Sequence, residues 1–427
     1  METQHLDLDK NLSHPQRVTN KASILVTFLI LCLLMIFNFA DRMIIASLLP
    51  SLKLEWALSY TQLGLLGSIL PLSMLLCTFL ASILVDRWGT IKAISFMGGL
   101  WSIATFLGGF SQNFIQILIT RAIVGMGEAG FAPAVYSWIR EFFPQRYFSL
   151  ALGLFTASQT IGMIIGVILG GMIVEYHGWR SALSILALPG LILVIILYRY
   201  REYKSYTQEI QNNSEYWLST KIKLKHIHSI PSLLWAYIGN SIVTLMWSSI
   251  FIFLPTYLHQ IYHLNITKAS LYTGGIAMIS LFSLPFGGWV MDYLAQKHSF
   301  AKLYSLIAGI FIATCSYAIG FSEITTFAMT YLTLILGTFA FTLVSTVPLS
   351  IGQDLVPSRC RLLSGTIYVI TLQLGAILAP TLMGYLFDNI GISKAFFYLV
   401  VLTGSLALVS YLYSLMHYKY DIKEILQ

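Results

Sequence analysis

Charged residues are scarce in this sequence, and that scarcity decides its class. Only 10% of the 427 residues are Asp, Glu, Lys or Arg, whereas 57% are hydrophobic and the mean hydropathy is +0.75. Most segments therefore have no polar face that water could solvate, which excludes a soluble globular protein. The composition is that of an integral membrane protein.

Several chemical motifs are missing as well. The four cysteines show no CxxC or histidine-rich spacing, so neither a disulfide framework nor a metal site is predicted. The strings GxSxG and HExxH of hydrolytic enzymes are absent, as is the GxxxxGK[ST] loop of nucleotide-driven pumps. We expect a protein that is not an enzyme, has no cofactor and does not use ATP.

Apolar stretches long enough to cross a bilayer recur along the chain. A spanning helix needs about 20 mainly apolar residues, and short breaks with charged residues, Gly or Pro separate twelve such stretches. The predicted spans are 22–49, 60–85, 93–111, 114–139, 149–174, 180–200, 232–258, 267–291, 301–321, 324–350, 362–387 and 392–416. No signal-peptide cleavage pattern precedes them, so an uncleaved N-terminus is expected.

Basic residues are distributed unequally between the two sides of the membrane. With the N-terminus inside, 19 of the 25 Lys and Arg residues fall in segments on that side, and four fall in outer loops. The positive-inside rule then places both termini in the cytoplasm. The net charge of +7 reports this topology, so no nucleic-acid partner is implied.

The chain divides into two halves of six spans. FPQR at Phe143–Arg146 follows span four and VPSR at Val356–Arg359 follows span ten, so loops of one kind recur six spans apart. The expected segments are a cytoplasmic N-terminal tail (1–21), an N-terminal six-helix bundle (22–200), a cytoplasmic central loop (201–230), a C-terminal six-helix bundle (231–416) and a cytoplasmic tail (417–427).

These features together resemble the major facilitator superfamily of secondary transporters over essentially the whole chain. The motifs are DRWGTIK at 86–92, RAIVGMGEAG at 121–130 and a glycine-spaced span five. Within the superfamily, ADR at 40–42, WSIATFLGGF at 101–110, TRAIVGMGEAGFAP at 120–133 and FLPTYL at 253–258 are similar to the anion:cation symporters, which carry organic anions. Spinster-like lipid carriers share ADR and GEA. The resemblance implies an all-α fold of twelve transmembrane helices in two pseudo-symmetric bundles, working by alternating access.

Four charged residues fall inside or at the end of predicted spans. Asp41 and Arg42 lie at the outer interface if span one ends near Ala40, or within the bundle if the helix continues. Arg121 and Glu128 divide span four into pieces too short to cross the bilayer alone, so both lie within it. Such charges are costly and usually mark a transport pathway; the alternative is that they only pin helices together.

Helix geometry restricts how these four residues pair. Neighbouring residues point about 100° apart, and Arg121 and Glu128 are separated by about 10 Å of helix rise, so partners are expected across helices. The simplest arrangement brings Arg121 near Asp41, or Glu128 near Arg42. The four charges sum to zero, so protonation of one carboxylate favours a bound monoanion, and the reverse.

This charge balance and the resemblance predict a proton-coupled symporter of a small organic anion. Asp41 and Glu128 are the expected proton carriers, Arg42 is the clamp for the anion, and Arg121 tunes the carboxylates. Polar side chains on spans five and eleven, Gln159 and Gln373, complete the candidate substrate-binding residues.

The resemblance also indicates what the substrate lacks. In sugar-acid carriers of the resembled family a Tyr in span two and an Asn in span eleven hold substrate hydroxyls. The matching positions here are Met74 and Val369, so a less hydroxylated, partly aromatic or aliphatic anion is expected. Aromatic residues such as Tyr136 and Trp247 are candidates for its cavity.

Two further motifs have two interpretations each. By resemblance, Asp86, Arg87 and Gly89 are gating residues that latch the halves, although they could simply end helices, and Ser82 replaces the usual glycine before them. The glycines of span five resemble an antiporter motif with Val167 in place of its proline, or serve close helix packing. We expect a monomeric importer in the lipid bilayer of a bacterial inner membrane. An exporter by antiport and a spinster-like lysolipid carrier are the alternatives.

Overall fold

The computed structural model describes residues 21–199, 227–298, 300–357 and 360–426, and within these ranges all regular structure is helical. We name the helices α1 (Lys21–Trp56), α2 (Tyr60–Trp88), α3 (Thr90–Gly108), α4 (Phe114–Glu128), α5 (Phe131–Phe142), α6 (Gln145–Arg199), α7 (Pro231–Ile261), α8 (Ile266–Lys297), α9 (Ala301–Gly320), α10 (Phe327–Val344), α11 (Val347–Leu355), α12 (Arg361–Ile390) and α13 (Ile392–Leu426). The predicted all-α class is confirmed.

Eleven of the described segments are long and apolar enough to cross a membrane, and one of them is long enough to cross twice. That segment, Arg146–Arg199 within α6, has 54 residues, which corresponds to about 80 Å of helix against about 30 Å of hydrocarbon. Gly178 interrupts it with φ 79° and ψ 162°. Gly391 has nearly the same backbone, φ 82° and ψ 163°, where it separates α12 from α13.

Packing contacts show that the chain reverses direction at Gly178. Before it, α6 runs parallel to α1, because Gly162 lies against Ile36 and Gly170 against Ile44. After it, Ser184 lies against Gly109, directly after the end of α3, and Gly190 lies against Ser102 within α3. Later residues of α6 thus contact earlier residues of α3, so this part of α6 runs antiparallel to α3. Counting α6 as two passes joined at Gly178 gives the twelve passes that the sequence predicts.

Several helix ends differ from the predicted spans. The first span was predicted to end at residue 49, but α1 continues to Trp56. The last was predicted to end at 416, but α13 continues to Leu426, and Asp421 accepts a hydrogen bond of 2.9 Å from the backbone N–H of Ser232 near the start of α7. Hydropathy alone misses such polar final turns. The N-terminal tail and most of the central loop lie outside the described residues.

Helices of the two halves meet closely at one end, which we call the closed end and which includes Trp56 at the end of α1. A Cβ added to Gly64 of α2 would lie 2.2 Å from the carbonyl oxygen of Pro380 in α12. A Cβ added to Gly274 of α8 would lie 2.4 Å from the side chain of Ile168 in α6. Helices α2 and α12 are therefore in direct contact at this end.

At the opposite end, which we call the open end, the same helices carry glycines with free space around them. An added Cβ on Gly153 near the start of α6 would meet no heavy atom within 4 Å, and the same holds for Gly288 towards the end of α8. Ser82 of α2 is exposed. These helices therefore touch the other half closely at the closed end, whereas their glycines at the open end lie in free space.

The glycines of α6 allow a direct test of its packing against α1. A methyl group at Gly166 would lie 2.3 Å from the carbonyl oxygen of Ala40, so Gly166→Ala forces the two helices apart. We expect a loss of stability of about 1–3 kcal/mol, visible as a lower melting temperature of the detergent-solubilised protein. Gly153→Ala, in the same helix but in open space, is the control and should not lower it. Equal melting temperatures for both variants would contradict the close contact.

Candidate functional site

The four predicted intramembrane charges come together in the N-terminal half, on α1 and α4. Asp41 and Arg42 lie in the interior of α1, which continues for four turns beyond them; the interpretation that this pair sits at the end of the span is therefore wrong. Arg121 lies in the middle of α4, and Glu128 is its last residue. The side chains of Asp41, Arg121 and Glu128 are almost fully buried.

Arg121 and Asp41 form the first of two ion pairs between these helices. Arg121 Nη1 lies 3.1 Å from Asp41 Oδ1, and it also donates to the Asp41 carbonyl oxygen at 3.4 Å. Thr105 of α3 completes the group, since its hydroxyl donates to Asp41 Oδ2 at 2.5 Å and accepts from Arg121 Nη2 at 3.2 Å. Three helices are thus tied together, and both oxygens of the acid are satisfied.

Arg42 and Glu128 form the second pair, with a different character. Arg42 Nε donates to Glu128 Oε2 at 2.6 Å, and the guanidinium lies 4.6 Å from the ring centre of Phe39. Among the described residues no group hydrogen-bonds to Glu128 Oε1, and none accepts from the two Nη atoms of Arg42. The Arg42 side chain is 20% exposed, whereas that of Glu128 is fully buried.

Both cross-helix pairs that the sequence allowed are present, and they differ in burial and in the hydrogen-bond donors that they leave free. The pair of Arg121 and Asp41 is buried, with side chains 1% and 6% exposed, and it joins α1 to α4 and α3. The pair of Arg42 and Glu128 leaves the two Nη atoms of the arginine without an acceptor among the described residues, and the arginine side chain is 20% exposed. An arginine with a free two-pronged donor can bind a carboxylate without giving up its Nε contact.

The other predicted site residues are less informative. Gln159 is partly buried on α6, and its Nε2 donates to the Tyr136 hydroxyl at 3.4 Å. Gln373 is partly buried on α12. Asp86 and Arg87 are exposed near the open end of α2. The next predicted gating residue, Gly89, has φ 82° and forms the turn between α2 and α3, a conformation that favours glycine.

An aromatic stack in the C-terminal half was not predicted as a unit. The Trp247 ring of α7 lies 3.9 Å from that of Phe251 and 4.7 Å from that of Phe341 in α10, measured between centroids. Trp247 is partly exposed, whereas Phe341 is buried. An alignment of the two halves of the sequence could have predicted it, because these aromatic residues match the buried acids of the N-terminal half.

Helix N-caps give the register between the halves. Ser59 caps α2 and Asn265 caps α8, 206 positions later, and the same separation relates Asp41 to Trp247. Asn113 caps α4 and Thr326 caps α10, 213 positions later, and that separation relates Glu128 to Phe341. The aromatic stack therefore occupies, in the C-terminal half, the positions that the buried acids occupy in the N-terminal half.

Comparison with known proteins identifies the family. The sequence matches the Major Facilitator Superfamily over residues 31–362, well over half of the chain. The chain belongs to this superfamily. The predicted family and fold are thereby confirmed, and the protein is a membrane transporter rather than an enzyme.

Relatives of this superfamily transporter include carriers of organic acids. A hexuronate transporter of Bacillus subtilis (strain 168) is 23% identical over 397 residues, which cover 90% of this chain and 92% of the relative. The cis,cis-muconate transport protein of Acinetobacter baylyi is 29% identical over 171 residues, covering 40% of this chain and 41% of that one. A bacterial homolog of the human lysosomal transporter spinster, solved in an inward-facing and unoccupied conformation, is structurally similar with a TM-score of 0.80 at 18% identity, over 95% of this chain and 99% of that chain.

Because Arg121 and Asp41 are both buried, we expect the loss of one partner to destabilise the protein more when the other remains charged. Arg121→Met leaves Asp41 charged and without its cationic partner in an apolar surrounding, so we expect a loss of about 3–5 kcal/mol. Adding Asp41→Asn should recover part of this loss, because the uncompensated charge is then removed. Denaturant unfolding of the detergent-solubilised variants measures both steps.

An exposed ion pair provides the control for that cycle. Arg180 and Glu55 are 2.7 Å apart, and their side chains are 43% and 37% exposed, so Arg180→Met should cost less than about 1 kcal/mol. If Arg121→Met were equally mild, the pair of Arg121 and Asp41 would not be a structural anchor of the bundle.

Proposed function

We propose that this protein is a proton-coupled symporter that imports a small organic anion across a bacterial inner membrane. The proposal assigns the anion to Arg42 and the coupling protons to Glu128 and Asp41. It keeps the predicted topology, with both termini in the cytoplasm, and a monomeric transporter. Organic acids are the cargo named for the hexuronate and muconate relatives, which supports an anionic substrate.

The observation that carries the proposal is the state of Arg42. Its Nε binds Glu128, while its two Nη atoms have no partner among the described residues and its side chain remains partly exposed. A monocarboxylate that accepts from both Nη atoms would make charge-assisted hydrogen bonds in a place where water competes little. Arg121 is 1% exposed, and its two Nη atoms already donate to Asp41 and Thr105, so it does not offer the same donors.

Proton coupling follows from charge balance around the same residues. A monoanion bound to Arg42 adds a negative charge beside Glu128, which favours protonation of that carboxyl group. The loss of the Glu128 charge in turn weakens its competition with the anion for the arginine. Each ligand therefore raises the affinity of the other, as linkage requires. Asp41 also borders a small cavity lined by Ser102 and Thr105 of α3 and by Gly190 of α6, which suits a second group that exchanges protons.

The chemistry of the opposite wall supports a substrate with an apolar body. Helices α7 and α10 of the C-terminal half contain no Asp, Glu, Lys or Arg. At the positions that match Asp41 and Glu128 in the internal repeat they carry Trp247 and Phe341, whose rings are stacked. Met74 and Val369 stand where hydroxyl-binding residues were expected. An anion with a planar aromatic or conjugated body would place its carboxylate on Arg42 and its body against Trp247.

Proton movement into proteoliposomes tests the coupling directly. A panel of organic anions is added outside vesicles that contain a pH-sensitive dye, with the parent protein and Arg42→Ala in parallel. We expect anion-dependent acidification of the lumen that is lost in Arg42→Ala. Glu128→Gln should abolish proton-driven uptake but retain exchange of labelled for unlabelled anion, whereas Glu55→Gln, an exposed control, should behave as the parent.

Three outcomes of that experiment would overturn the proposal. Normal proton-driven uptake by Glu128→Gln would remove the coupling role of this residue. Alkalinisation on addition of the anion would indicate antiport. A response to lysolipids alone would assign the protein to lipid transport.

The aromatic wall predicts how substrate preference changes. Trp247→Ala removes the ring against which the substrate body packs, so the KM for an aromatic carboxylate should rise by about tenfold. The KM for a short aliphatic carboxylate should change much less. Trp289→Ala, which removes an exposed tryptophan of α8, is the matched control. An equal rise of KM for both substrates would show that Trp247 supports the fold and does not select the substrate.

A further inference from the structure

Two acidic side chains at the closed end reach from one half of the protein to the other. Asp388, near the end of α12, accepts from the backbone N–H groups of Tyr60 and Thr61 at 2.9 and 2.8 Å and from the Thr61 hydroxyl at 2.7 Å. These N–H groups belong to the first turn of α2 and have no partner within that helix. The C-terminal half thus holds the start of a helix of the N-terminal half.

The converse contact is made by Glu175 in α6. This residue accepts from the backbone N–H of Thr267 at 2.7 Å and from Asn265 Nδ2 at 2.8 Å. Thr267 lies in the first turn of α8, and Asn265 is its N-cap. The N-terminal half therefore holds the start of a helix of the C-terminal half, through one backbone N–H and the side-chain amide of the N-cap residue.

The repeat register shows that the two contacts are copies of one device. Glu175 and Asp388 are 213 positions apart, as are Gly178 and Gly391, so each acid lies three residues before the glycine that reverses the chain. Thr61 and Thr267 are 206 positions apart, as are the caps Ser59 and Asn265.

The loops before the two held helices also match. Ala57 and His263 both have positive φ, 50° and 54°, although neither is a glycine. They too are 206 positions apart. Such a backbone is unusual for these residues. Its presence in both halves indicates that the two loops position the first turns of α2 and α8 in the same way, next to Asp388 and Glu175.

We propose that Glu175 and Asp388 form a paired latch that holds the closed end shut and sets how often it opens. Each carboxylate accepts hydrogen bonds at a helix N-terminus, two of them from backbone N–H groups for Asp388 and one for Glu175, where the helix dipole favours negative charge. Separation of the halves at this end breaks both sets of charge-assisted hydrogen bonds at once. By the distribution of basic residues this end faces outward, so the latch would govern access from outside the cell. The latch is independent of which solute is carried and of proton coupling.

Distance measurements between spin labels test the latch without a substrate. Leu54 and Ile324 are 82% and 95% exposed on opposite halves near the closed end, and both are replaced by labelled cysteine after the four native cysteines are changed to serine. The variants are Asp388→Asn, Glu175→Gln and the two combined, in lipid nanodiscs. An amide turns its NH₂ group towards backbone donors, so it cannot replace the second carboxylate oxygen.

We expect each single variant to raise the population with a long separation between labels by about fivefold, and the double variant to raise it further. Glu55→Gln is the control, because Glu55 is a partly exposed acid at the same end whose partners, Arg180 and Trp179, lie in its own half. An unchanged distribution in the double variant, or an equal shift in Glu55→Gln, would overturn the latch. Failure of the anion and proton assays would leave this result unaffected.

Discussion

A charge inside the apolar bundle has to find an opposite charge, and the N-terminal half is arranged around that requirement. Arg121 is enclosed at 1% exposure, in a place where an unpaired guanidinium would be costly. Its carboxylate partner comes from α1, and Thr105 of α3 closes the group. For α1 to present Asp41 at the right depth it has to lie close along α6, which the bare backbone at Gly162 and Gly166 permits. Close helix packing is therefore the physical role of these glycines, whichever direction transport takes.

The two halves share a backbone plan but not a chemistry. Helix caps, turn glycines and unusual loop residues recur at constant separations, whereas the buried acids of one half are matched by aromatic rings in the other. With the proposed function, the charged residues of the N-terminal half would bind the charged group of an amphipathic solute, and the aromatic rings of the C-terminal half would bind its flat apolar body. Selectivity would then depend on the residues that differ between the halves, and the proposed opening and closing on the backbone features that they share.

Much of this arrangement could be predicted from the sequence because bilayer thickness and the cost of buried charge leave few choices. The apolar stretches and the family motifs gave the spans, and helix geometry gave both cross-helix pairs. Thr105 was not assigned, since a threonine in an apolar helix has many roles. The acids at Glu175 and Asp388 were overlooked because a charge near a predicted loop is unremarkable until the helix start that it caps is known. Only the fold brings residues 327 or 328 positions apart into contact.

The spacing of the ion pairs along the chain has a consequence for how the protein is made. Asp41 and Arg121 are 80 residues apart, and Arg42 and Glu128 are 86 apart. At a synthesis rate of about 5–20 residues per second, an acid and a base in the first helix wait several seconds for partners that the ribosome has not yet produced. During that interval both charges of the first helix lack their partners, and the cost of an unpaired charge in the bilayer is removed only after the fourth helix has been made.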